Sequence, residues 1–154
     1  MTKDTIVFGS LAGFIGNIPK IIFTWILHFL GYDRYTFIHI AAGFFVPAKY
    51  LDKPLSLMIG VISDFIMAGL FGVVLLLIMR KTGSDFPILK GVGFSAVIYL
   101  FIYGMLMALD ITRASLLTPL PNLLLLFPHL ILGIVSAWFI KYYDGLERVK
   151  PPQS

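Results

Sequence analysis

The stretch Leu55–Met79, LSLMIGVISDFIMAGLFGVVLLLIM, decides which folds are open to this chain. At about 1.5 Å of rise per residue, a helix of this length crosses a hydrocarbon layer about 30 Å thick. Inside it stands a single charge, Asp64. A carboxylate at that depth needs a partner, a water-filled cavity or a proton. Ser56, Gly60, Ala68 and Gly72 lie at multiples of four residues from Asp64 and share its helical face. Another helix can approach closely on that face.

Composition agrees. Of 154 residues, 58% are hydrophobic and only 13% charged, with a mean hydropathy of +0.92. Soluble domains run at about 45–50% apolar and ~25% charged. The expectation is one integral membrane domain over residues 1–154, with the lipid bilayer as its first partner. No cysteine is present, which excludes disulfides, thiolate metal sites and cysteine nucleophiles. The net charge of +4 reads as topology and headgroup contact. No basic run interleaved with aromatics is present, so no nucleic-acid partner is expected.

Four spans are predicted, at about residues 5–30, 55–79, 91–109 and 122–140. The first is too long for a signal-peptide core and is kept as a retained helix. Its Gly9, Gly13, Asn17, Lys20 and Thr24 fall in one narrow sector, and Pro19 should bend it beside Lys20. The segment Tyr35–Pro47 is too short to span and too apolar for a solvated loop. It is expected to be a short interfacial or re-entrant helix. The interfacial form is favoured, with Tyr35, Phe37, Phe44 and Phe45 at headgroup depth. In the third span Gly91, Ser95, Tyr99 and Tyr103 line one face, and the fourth is interrupted by Pro128-His129. The tail from Asp144 reads as short, polar and loose.

Basic residues set the expected orientation. Lys3, Arg80, Lys81, Lys90, Lys141, Arg148 and Lys150 fall on one side, and Arg34, Lys49, Lys53 and Arg113 on the other. That bias puts both termini in the cytoplasm, with Tyr35–Pro47 outside.

Counting residues from the span ends places Lys20 and Asp64 at one depth, about 15 Å from the outer boundary. Tyr99 and His129 fall near the same layer, with Asn17 one turn below. A Lys20–Asp64 pair is the simplest arrangement, because each charge alone is costly at a helix centre. Such a pair fixes helix register, or it carries protons with His129 and Tyr99 as further members. A separate anion site on the outer face could form from Asp110, Arg113 and Asn122, although no nucleophile completes it. His28, His39 and His129 show no metal-ligand spacing, so no metal, cofactor or catalytic residue is assigned.

The run RASLLTPLPNLLLLFPHL at 113–130, with NIPK at 17–20, resembles small uncharacterised bacterial membrane proteins. The four-span layout is similar to that of the YqhR-like group of small membrane proteins. The resemblance implies a bacterial plasma membrane and carries no activity, cofactor or site residue with it.

The expected fold is an all-α integral membrane bundle of four transmembrane helices plus the short outer helix. The expected function is that of a non-enzymatic accessory, assembly or regulatory subunit, acting on other membrane proteins or as a homo-oligomer. The alternatives are a small oligomeric proton-coupled permease or channel using Lys20 and Asp64, and an outer-leaflet lipid-modifying enzyme.

Overall fold

The computed structural model describes residues 4–114 and 118–148, the side chains of 144–148 excepted. Among these residues the fold is all-α. Four helices are long and apolar enough to cross a membrane: Thr5–Phe29, Pro54–Thr82, Pro87–Ala108 and Pro119–Tyr143. The exterior is apolar, with Ile66 64% exposed and Leu70 54%. Such a surface is stable in lipid and would aggregate in water. The chain is a multi-pass helical membrane protein.

Each span starts and stops on local chemistry. The first, α1 (Thr5–Phe29), is capped by Asp4, whose carboxylate accepts from the N–H of Ile6 at 2.9 Å and of Val7 at 3.2 Å. Pro19 stands within α1 without ending it. A short helix, α2 (Phe37–Ala42), follows, and then α3 (Pro54–Thr82), which opens on a proline and ends before Gly83 at φ +84°. Lys90 donates across the turn to the carbonyls of Thr82 (3.0 Å) and Gly83 (2.7 Å), which the end of α3 leaves unpaired.

The third span is not uniform. It runs as α4 (Pro87–Ile98), a π-helical segment at Tyr99–Tyr103, and α5 (Gly104–Ala108). The wider turn brings the rings of Tyr99 and Tyr103 into a stack, 4.7 Å apart at 15°. The fourth span is α6 (Pro119–Leu124) and α7 (Leu126–Arg148). The break at Leu125 follows from Pro128, which cannot donate to the carbonyl of Leu124. Helix α7 continues beyond the expected end at Ile140 to Arg148, so the first part of the tail is helical rather than loose. The remainder, 149–154, lies outside the described residues, as do 115–117 in the loop before α6.

Helices α1 and α7 are central. Helix α1 packs on α3 and on α7, and α7 packs on α4, whereas α3 and α4 scarcely meet. The α1–α3 crossing is as close as backbones allow. A Cβ on Gly13 would collide with the carbonyl of Ala68, and one on Gly72 with the carbonyl of Gly9. The α4–α7 crossing has the same form, with Gly91 against Gly133. Two apolar clusters fill the ends. Phe8, Leu75, Met79 and Phe139 belong to one, and Phe37, Leu51, Tyr103 and Leu125 to the other.

Helix α2 differs from the favoured expectation. It is shorter than Tyr35–Pro47 and does not lie on the surface: Phe37, Ile38, His39, Ile40 and Ala42 are all buried. The reason is Gly60. Its missing side chain lets the backbone of Ile38 rest on α3, where a Cβ would strike the Ile38 carbonyl. Thr112 and Arg113 hold the other side, through Thr112 Oγ1 to Ile40 O at 2.8 Å and Arg113 N to Gly43 O at 3.1 Å. Buried within protein, the ends of so short a helix are satisfied, as a re-entrant segment requires. Phe44 and Phe45 remain exposed, but Phe37 turns inward.

Candidate functional site

The polar face of α1 is buried as a unit: Gly9, Gly13, Asn17, Lys20 and Thr24 all point into the bundle. Opposite them lies the stripe of α3, where Ser56, Gly60, Asp64, Ala68 and Gly72 are buried together. The glycine crossings bring these faces close enough for short side chains to meet. Lys20 Nζ donates to Asp64 Oδ1 at 2.6 Å, with side-chain exposures of 5% and 8%. Asn17 Nδ2 donates to Asp64 Oδ2 at 2.8 Å. Both carboxylate oxygens therefore have a donor. The ammonium also lies 4.8 Å from the centroid of the Phe37 ring, so α2 supplies a third wall to the pair.

His129 reaches the same region from α7. Its ring stands edge-on to Phe37, 4.5 Å between centroids, and 5.5 Å from Tyr99. It is 6% exposed, and its Nδ1 is buried without a hydrogen-bond partner. Tyr99 shares the layer but not the ion pair. Its hydroxyl donates to the backbone carbonyl of Asn122, and Tyr103 donates to Asn122 Oδ1 at 2.8 Å.

Those two phenols also engage Asn122, one residue of the expected outer-face anion site. Asn122 is turned toward Tyr99 and Tyr103, and its Nδ2 donates to Thr118 O at 3.0 Å. Asp110 stands at φ +48° and is exposed, as is Arg113. None of these hydrogen bonds joins the side chains of Asp110, Arg113 and Asn122, and residues 115–117, between Arg113 and Asn122, lie outside the described residues.

A cavity of about 380 Å³ runs alongside the pair in the gap between α3 and the third span. Lys20, Asp64 and His129 stand at its inner end. Phe37, Phe44 and Phe45, with Met67 and Phe71 of α3 and Ile102 and Leu106 of the third span, make its walls.

A second polar cluster has no local sequence signal. Asp33 is 2% exposed, and neither of its carboxylate oxygens has a partner. Burial pushes its carboxyl up to about 6, with His28 opposing. The guanidinium of the following Arg34 stands 5.2 Å over the Tyr35 ring. His28 and His39 approach to 5.6 Å between ring centroids, although they are on different helices. His39 fills the capping box of α2: its Nδ1 accepts from Thr36 N at 3.2 Å, and its Nε2 faces Asp52 at 3.4 Å. Burial lowers the pKa of His39, with Asp52 opposing. Among the described residues no three His, Asp or Glu side chains are placed to hold a metal ion.

Compared with protein-family models, curated proteins and solved structures, the chain matches none.

Proposed function

We propose that this protein is a non-catalytic subunit of a cytoplasmic membrane, acting through other membrane proteins or further copies of itself, with both termini in the cytoplasm. The observation that carries this reading is the double engagement of the Asp64 carboxylate by Lys20 and Asn17. Both carboxylate oxygens are occupied at 2.6 and 2.8 Å, and the pair sits where α1 and α3 cross at glycine contact. A carboxylate so held locks the register of two helices and gives the bundle one shape to present to a partner. A proton relay needs instead a polar path leading away from the pair, and beyond Lys20, Asp64 and His129 the adjoining cavity is lined mostly by phenylalanine, isoleucine and methionine, with Ser63 and Tyr103. The orientation rests on seven basic residues against four.

The test is reconstitution into vesicles holding a pH-sensitive dye, together with cross-linking in intact membranes. The reading expects no proton flux above that of empty vesicles, and a discrete cross-linked assembly larger than the monomer. A flux abolished by Lys20→Met would replace it with the permease. A chain that stays monomeric on cross-linking would also overturn it.

A further inference from the structure

We propose that the cleft between α3 and the third span is a binding site for a lipid with an uncharged, oxygen-bearing head and one aliphatic tail. The inference stands independently of the subunit reading. The cavity measures about 380 Å³, near the lower end of the roughly 300–1,000 Å³ typical of small-molecule sites. That is room for one chain and a small head.

Its location selects the ligand's source. The rim includes Phe45, Ile66 and Met67, all on the exposed apolar flank of the bundle. Entry is from the hydrocarbon, with no passage through water. A tail gains little by moving from lipid to an apolar wall, because the two environments are equally apolar. Selectivity must therefore come from the head.

The inner end defines that head. Among the described residues the charged side chains on the wall are Lys20 and Asp64, and they neutralise each other. An anionic or cationic head would introduce an uncompensated charge into a low-dielectric site. An oxygen acceptor would not. The Lys20 ammonium carries three N–H groups; one is given to Asp64 and one flank rests on Phe37. The remaining capacity is open to a carbonyl or hydroxyl oxygen. His129 adds a second polar group at the same end, buried and without a hydrogen-bond partner at Nδ1. Monoacylglycerols and isoprenoid quinones both present this chemistry.

The experiment uses the full chain in nanodiscs and probes carrying a photoactivatable diazirine in the tail. The probes are a monoacylglycerol, an isoprenoid quinone, a fatty acid of matched length and a matched alkane, with labelled peptides read by mass spectrometry. Saturable labelling of the peptides holding Phe44–Phe45 and Ile102–Leu106 is expected from one or both uncharged oxygen-headed probes. Which of the two saturates at lower concentration identifies the source. Met67→Trp, which fills the cleft from a partly exposed position, should abolish the saturable labelling. The double variant Lys20→Met with Asp64→Leu keeps the site neutral and should weaken labelling by about tenfold or more, the loss of one hydrogen bond to a charged donor. Equal saturation by the alkane would mean that bulk acyl chains fill the cleft, and would overturn the proposal. So would preferential labelling by the fatty acid, or labelling indifferent to Met67→Trp.

Discussion

Lys20 and Asp64 meet at 2.6 Å midway along a stripe whose two flanking positions are themselves contact points. Ala68 takes Gly13 of α1 on one side, and Gly60 takes Ile38 of α2 on the other. The ion pair is thus held between two backbone crossings, and neither helix can slide to loosen it without a collision.

Removing one member of the pair should be far worse than removing both. A truly buried charge left alone costs about 3–5 kcal/mol, and the double replacement leaves none. Lys20→Met and Asp64→Leu should each lower the thermal unfolding temperature in detergent, with most of the loss recovered in the double variant. Simple addition of the two losses would mean that the residues are not coupled.

At the α1–α3 crossing, Gly13→Leu should disrupt more than an ordinary overpacking of about 1–3 kcal/mol. The obstacle is the Ala68 carbonyl, a backbone group that cannot rotate away. Gly93, which meets nothing within 4 Å, is the control, and Gly93→Ala should leave stability unchanged or slightly raised. Monodispersity on size exclusion reads both. Equal behaviour of the two variants would refute the close crossing.

The raised pKa of Asp33 has a signed consequence. A carboxyl that holds its proton more tightly when folded favours the folded state below its ordinary value of 3.8. That contribution is lost as pH rises toward about 6. Asp33→Asn should remove this decline and unfold at a higher temperature than the parent near neutral pH. The parent-minus-variant difference isolates Asp33 from every group that the two proteins share. A difference that is flat across the window would show that the carboxylate is solvated.

Single cysteines at Phe37, Ile38, His39, Ile40 and Ala42 should all resist an impermeant thiol reagent, because these positions of α2 are buried. Lys49 is the exposed control. Reactivity at every third or fourth position would put α2 back on the surface. In intact cells the proposed orientation requires labelling at Lys49 and protection at Ser84, and the reverse pattern would invert it.

The sequence alone determined the number of spans, the buried face of each of the first two, and the Lys20–Asp64 partnership. The cause is physical. Hydrophobic length is a local property, small residues four apart must share a face, and two opposite charges at one depth have few alternatives to each other. The burial of α2, the π segment that stacks Tyr99 on Tyr103, the bonding of Asn122 to those two phenols, and the orphaned carboxylate of Asp33 were decided only by tertiary structure. Each depends on which way a helix is rotated about its axis and on what another segment brings against it. In lipid every apolar face is equally acceptable outside, so hydropathy cannot fix that rotation, and backbone contacts between distant glycines do.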